Sequence, residues 1–235
     1  MARNLFSFSL AGEKALADAE GVLVLPGHET LIVSDLHFEK GSAFARSGQM
    51  LPPYDTRATL TRLHAAIKAH GPKRVIALGD SFHDMWADAR MDGDDRARLK
   101  AMVGEIAHWV WIEGNHDPQP PEDLGGEIRF EFELGKLVLR HEPVEGDAPG
   151  EIAGHLHPCA KVRGRGRSVR RRCFATDGQR LIMPAFGAYT GGLNIRDTAF
   201  TACFGRTPDA LVMGKEAVHA IAAKQCAPDR PRLRA

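Results

Sequence analysis

The chain has 235 residues, 43% of them hydrophobic, and a formal net charge of +1. That is enough apolar surface for a substantial core, and too little net charge for a global field that draws in nucleic acid or membrane. Its four cysteines, Cys159, Cys173, Cys203 and Cys226, contain no C-x-x-C pair, which excludes a small disulfide scaffold and points to a reduced, cytoplasmic setting. Near the N terminus, Phe6, Phe8 and Leu10 are broken by serines and followed by Glu13, so neither a signal segment nor a membrane span is expected.

In chain order, residues 5–25 hold short apolar runs that read as edge strands, closed by the turn residues Pro26-Gly27-His28. A β-branched run predicts a strand over 30–34. Residues 38–52 read as loop with room for a short helix. Tyr54 to Ala69 carries Leu60, Leu63, Ala66 and Ile67 at helical spacing and predicts a helix ended by Gly71-Pro72. A strand over 73–78, a helix from Asp94 to Ala107 and a strand over 108–112 continue a βαβα rhythm, which argues for a parallel sheet. Residues 126–141 read as two strands around Gly135-Lys136. From Gly150 onward the pattern is short antiparallel strands, including 171–176 with 179–183 and 199–204 with 210–213. The expectation is two sheets packed face to face with helices outside. Residues 1–226 are expected to form one domain, and 227–235 a basic Pro/Arg-rich tail that is frayed.

Four of these apolar runs end in polar residues that can share a site. Leu31-Ile32-Val33 leads into Asp35 and His37, and Ile76-Ala77-Leu78 into Gly79-Asp80. Val110-Trp111-Ile112 leads into Gly114-Asn115-His116-Asp117, and Ile152-Ala153 into Gly154-His155-Leu156-His157, with His141 ending a further strand. In open α/β sheets ligands sit beyond the carboxyl ends of the strands. Each motif alone is ordinary: Asp-x-His is usually a turn Asp beside a surface His, and Gly-Asp is turn vocabulary. Together, Asp35, His37, Asp80, Asn115, His141, His155 and His157 exceed the roughly four ligands of a structural zinc. Carboxylate, imidazole and amide donors suit Mn, Fe, Zn or Co. They suit two ions sharing Asp80, whose two oxygens can serve both, and paired ions at roughly 3.5–4 Å can clamp a phosphoryl group.

These motifs resemble the calcineurin-like metallophosphoesterase superfamily. The resemblance implies a four-layer αββα sandwich of two facing mixed sheets with helices outside. It implies one metal held by Asp35, His37, Asp80 and His157, and a second by Asp80, Asn115, His141 and His155. His116 would assist the leaving oxygen and Asp117 would orient His116. The pattern departs at Arg140-His141-Glu142-Pro143, where a Gly often neighbours the metal-binding His. More narrowly, residues 33–41, 78–84, 154–158 with 172–174, and 184–192 resemble the bacterial ligase-associated DNA damage response endonucleases. That implies a phosphodiesterase or endonuclease with two divalent ions, Mn first and then Fe, Zn, Co or Ni. Its substrate would be DNA, single-stranded, flapped or nicked, and its functional neighbours an ATP-dependent DNA ligase, a helicase and an exonuclease.

Other features bear on substrate. Lys161, Arg163, Arg165, Arg167, Arg170, Arg171 and Arg172 follow His157 with no acid among them. They read as a solvated loop or as an arm that tracks phosphates. His83 can contact the scissile phosphate or cap its own segment. Phe186 and Tyr189, in a Gly-rich loop, can stack on a base or belong to the core. Two rivals stay open: a small-molecule phosphoesterase with the same metals and no use for the arm, and a non-catalytic scaffold, which should have lost ligands. Oligomeric state is left open.

Overall fold

The computed structural model describes residues 5–117, 119–164 and 166–229. The first sheet takes seven strands in sequence order. β1 (Phe6–Leu10), β2 (Glu13–Ala17) and β3 (Leu23–Leu25) form an antiparallel meander that pairs with β4 (Thr30–Ser34). From β4 the sheet is parallel through β5 (Arg74–Leu78), β6 (His108–Ile112) and β7 (Glu127–Arg129). Between β4 and β5 come α1 (Lys40–Arg46) and α2 (Asp55–His70), and between β5 and β6 come α3 (Ala87–Arg90) and α4 (Gly93–Gly104). α2 buries Leu60, Leu63 and Ile67 and ends where Gly71 takes φ +55, a left-handed cap. α4 starts where the Asp92 carboxylate accepts from the Asp94 and Asp95 N–H groups, and it stops at Gly104, short of Ala107.

The second sheet has nine strands. These are β8 (Glu131–Leu134), β9 (Leu137–Arg140), β10 (Glu151–Ala153), β11 (Pro158–Gly164), β12 (Arg167–Thr176), β13 (Leu181–Ile182), β14 (Leu193–Asn194), β15 (Asp209–Met213) and β16 (Val218–Ile221). Their order is β14-β11-β12-β13-β10-β9-β8, with β15 also on β12 and β16 on β15. α5 (Thr198–Phe204) covers this sheet.

Strand alternation builds three cores and so the four layers. Val33, Ala77 and Trp111 pack under Leu63 of α2 and Leu99 of α4. Their neighbours Ile32, Ile76 and Ile112 face the other way, onto Leu139, Ile152, Phe174 and Met183 of the second sheet. Beyond that sheet, Cys173, Ala175 and Val212 meet Phe200 and Cys203 of α5. Each fully buried side chain of this kind stabilises the fold by about 1.5–3 kcal/mol. Among the described residues no helix is long and apolar enough to cross a membrane. All four cysteines are free and buried.

The structure differs from the element-by-element reading of the sequence in several places. Residues 126–141 hold three strands: β7 joins the first sheet, and the chain crosses to the second at Phe130. After Gly150 the strands are not all antiparallel: β10 pairs parallel with β9 and β13, and β11 with β14, as the mixed sheets implied by the resemblance require. Residues 199–204 are helix, because Asp197 accepts from Ala199 N–H and Gly205 closes the turn at φ +67. The tail begins tied down: Ala227 N–H donates to Lys161 O at 2.8 Å and Asp229 reaches Arg170. Residues 230–235 lie outside the described residues.

Candidate metal centre

The seven candidate ligands sit at the carboxyl ends of neighbouring parallel strands in two facing sheets. β4, β5 and β6 deliver Asp35 and His37, Asp80, and Asn115; β9 and β10 deliver His141, and His155 with His157. Backbone bonding continues past the strands and braces these loops. His37 N–H donates to Asp80 O at 2.9 Å, Phe38 N–H to Ser81 O at 2.8 Å, and Gly154 N–H to His141 O at 2.9 Å. Asp35, His37, Asp80, His155 and His157 all take positive φ, between +44 and +66. Non-glycine residues rarely adopt this conformation, and it concentrates at functional sites. The motif glycines admit the close approach: a Cβ on Gly154 would run into Ser34 Oγ and Asp35 Oδ2, and one on Gly114 into Asp80.

Two clusters result. Asp35, His37 and His157 form one, Asp80, His141 and His155 the other, each with ligand atoms within 4.8 Å of one another. Asp35 Oδ1 is 3.0 Å from His157 Nε2, and His37 Nε2 is 3.4 Å from His157 Nε2. In the second, His141 Nε2 and His155 Nδ1 lie 3.3 Å apart, each 3.0 Å from Asn115 Oδ1. Asp80 faces both: its Oδ2 is 3.7 Å from His37 Nε2 and its Oδ1 is 3.3 Å from His141 Nε2.

The donors fit a pair of divalent cations. Ring nitrogens that point at each other beside the buried carboxylates of Asp35 and Asp80 are costly unless a positive charge sits among them. In the metal-free protein a proton on His141 supplies part of that charge. Burial pulls His141 down, but its hydrogen bond to Asp80 and the Asp35 and Asp80 charges outweigh it and hold the ring up at about 9. Burial lowers His37 to about 3 despite the same carboxylates. Burial raises Asp35 and Asp80, and the surrounding imidazoles reverse this and hold both below the usual carboxylate range. His141 Nδ1–H donates to Leu78 O at 2.9 Å, which turns Nε2 to the site.

His116 stands beside the clusters with its side chain 41% exposed and Nε2 3.9 Å from Asp80 Oδ2. Its backbone N–H donates to Asp80 Oδ1 at 2.9 Å. The expected orienting residue differs. Asp117 Oδ2 accepts from Phe82 N–H at 3.0 Å, while His116 Nδ1 lies 2.8 Å from His83 O. Burial pushes the Asp117 carboxyl up to about 8, and the group holds the loop after Asp80. The His83 ring stacks on His116 with centroids 5.2 Å apart and approaches His37 at 3.4 Å.

The basic segment is a hairpin of β11 and β12, with Lys161 opposite Arg170 and Arg163 opposite Ser168. Arg163, Arg167, Arg170 and Arg171 are exposed, and Lys161 is half-buried. Arg165 lies outside the described residues. Arg172 corrects the expectation of an open arm: its guanidinium turns inward and donates to Ala185 O, Gly187 O and Thr190 O at 2.9–3.0 Å. It pins the 184–192 loop, whose Gly187 N–H donates to Asp35 O. Tyr189 is tied through its hydroxyl to Pro52 O at 2.8 Å, and Phe186 is fully buried with Arg62 stacked on it at 4.4 Å. Phe186 is therefore core, whereas Tyr189 is half-buried.

Two participants were not singled out from sequence. Ser34 Oγ donates to Asp35 Oδ2 at 2.5 Å, a contact between adjacent residues that any Ser-Asp pair could make. Lys215 joins Arg170 and Arg171 around a cleft of about 570 Å³ beside Gly191 and Gly192, a grouping that depends on strand pairing distant in sequence.

The chain matches the model of the calcineurin-like phosphoesterase family over residues 28–169, a span that holds every candidate ligand. No curated protein sequence matches it. Among solved structures it is similar to the Pseudomonas putida nuclease MPE, with a TM-score of 0.73 and 28% identity over 93% of this chain and 100% of that one. It is also similar to Yfce, a phosphoesterase from E. coli, with a TM-score of 0.40 and 13% identity over 83% of this chain and 98% of that one. The family match spans more than half of the sequence, and the chain therefore belongs to the calcineurin-like phosphoesterase family.

Proposed function

We propose that this protein is a dinuclear-metal-dependent phosphodiesterase that acts as an endonuclease on DNA, with Mn as its working ion. Family membership supports metal-dependent hydrolysis of phosphoesters. The observation that carries the proposal is Asp80, with one carboxylate oxygen toward each of two Asp/His clusters. The proposed ligands are Asp35, His37, Asp80 and His157 for one ion, and Asp80, Asn115, His141 and His155 for the other. When bound, two divalent ions supply Lewis-acid polarisation of the phosphate and acidification of water.

The chain's own residues do the rest. Leu78 O and Ser34 orient His141 and Asp35. His116, anchored through Nδ1, turns Nε2 toward the site, where an imidazolium can donate a proton to the departing oxygen. The exposed arginines of the hairpin begin just beyond His157 and offer phosphate contacts along a strand. The nuclease name of the Pseudomonas putida neighbour supports a nucleic-acid substrate. The sequence resemblance supports a ligase-associated repair setting in the cytoplasm, with DNA ligase, helicase and exonuclease as functional neighbours.

The test is the manganese-loaded protein assayed against single-stranded DNA, duplex DNA and a chromogenic phosphodiester and monoester pair. Cleavage of DNA and the diester, abolished by chelator, is expected. Turnover of the monoester alone would reject the nuclease reading.

A further inference from the structure

A cleft of about 430 Å³ has Asn115 and His141 in its wall and none of the basic hairpin residues. Phe130, 74% exposed, and Val144, 38% exposed, both line it. Phe130 is the single residue between β7 and β8, where the chain passes from one sheet to the other, so strands on both sides hold its backbone. A large aromatic kept open on a rigid support, against a cleft that reaches two candidate ligands, is a platform for a flat ligand.

The remaining wall selects what lies there. Glu113 and Glu142 line the cleft, and Arg140 beside them is engaged, 3.0 Å from Glu131 Oε2. Carboxylates repel phosphate and accept hydrogen bonds from amino groups. The backbone of a nucleic acid is thus steered to the metals and the arginines, and a base to the cleft. Its volume falls in the range of small-ligand pockets, roughly 300–1,000 Å³, large enough for one nucleoside.

We infer that the cleft lined by Phe130 and Val144 is a base-binding subsite that takes one unpaired nucleobase adjacent to the scissile phosphate, stacked on Phe130. This rests on the nuclease reading and adds to it a residue-level site for the base. A base held in a duplex has both faces covered by its neighbours and cannot use the platform without leaving the stack.

The experiment is a cycle across protein and DNA with the manganese-loaded full chain. Wild type, F130A and F130Y are assayed on a single-stranded oligonucleotide and on versions made abasic at each position near the cut. F130A should raise KM for the intact strand roughly 5- to 150-fold, the range for loss of one stacked base, with kcat little changed. F130Y should restore most of it. One abasic position should cost wild type a similar factor and cost F130A nothing further. Unchanged KM in F130A, or losses that simply add, would overturn the subsite while DNA cleavage by wild type left the nuclease reading intact. A wild type that hydrolyses a chromogenic ester but neither binds nor cuts any oligonucleotide would overturn both. Phe130 is exposed, so F130A should keep its thermal midpoint.

Discussion

His116 Nδ1 lies 2.8 Å from the backbone carbonyl oxygen of His83. A carbonyl only accepts, so Nδ1 carries the proton and the other nitrogen faces Asp80. The anchor is main chain, and changing the His83 side chain does not remove it. His116→Gln should keep metal content near wild type and lose roughly 10²–10⁴-fold in rate, the usual range for a positioned general acid. The loss should shrink for a nitrophenolate leaving group, which needs little protonation. His83→Ala, which removes the ring stack and leaves the carbonyl, should cost less than His116→Gln. Equal losses for good and poor leaving groups in the His116 variant would argue against proton donation.

The arginines of the hairpin differ in exposure: Arg163, near the tip, shares a face with Arg172, and Arg171 lies on the opposite face. Arg171 and Arg163 point to solvent, whereas Arg172 binds three carbonyls of the 184–192 loop. Arg163→Ala and Arg171→Ala should leave the fold intact and each flatten the plot of log affinity against log salt by about 0.7 for single-stranded DNA, if each meets one phosphate. Arg172→Ala should instead lower the thermal midpoint, because Ala185 O and Thr190 O lose their charged donor while Gly187 O keeps Thr190 Oγ, at about 1–3 kcal/mol for each group left unpaired. Thermal melts beside salt titrations separate the two effects. A stable Arg172→Ala with weakened DNA binding would return Arg172 to the binding surface.

The metal-free protein should reveal itself in pH. His141 is raised from 6.5 to about 9 by its pairing with Asp80. Its protonated form stabilises the metal-free fold fully below about pH 6.5, and that contribution is lost as pH rises through about 9. A cation takes Nε2 only when the proton leaves. Apparent Mn affinity of this cluster should therefore rise with pH by up to roughly tenfold per unit for one displaced proton, and level off above about 9. Calorimetric titrations in buffers of different ionisation enthalpy would count the proton. A pH-independent affinity with no proton released would contradict the assignment.

Much of the centre was legible because chain order and burial pattern carried it. Apolar runs such as Leu31-Ile32-Val33 are buried on both faces, which marks inner strands of a sheet covered on both sides, and each ended on a candidate ligand. What escaped depends on contacts distant in sequence or on backbone conformation. The parallel pairing of β9, β10 and β13 is set by which strands meet. Thr198–Phe204 carries Thr and Phe residues that suit a strand, and only the Asp197 cap and Gly205 mark it as helix. The inward turn of Arg172 follows from alternation in β12 together with a loop that packs on it from later in the chain. Asp117 stands next to His116 in sequence, yet its carboxylate turns to Phe82.

The central claim is that Asp80 joins two metal positions through its two oxygens. Metal content of the manganese-loaded, gel-filtered protein tests it most directly, with wild type, Asp80→Ala and His155→Ala measured side by side and folding checked by circular dichroism. The account predicts two ions per chain in wild type, loss of both in Asp80→Ala, and retention of about one in His155→Ala. Two ions retained by a folded Asp80→Ala, or a wild type that is metal-free and fully active in chelator, would contradict it.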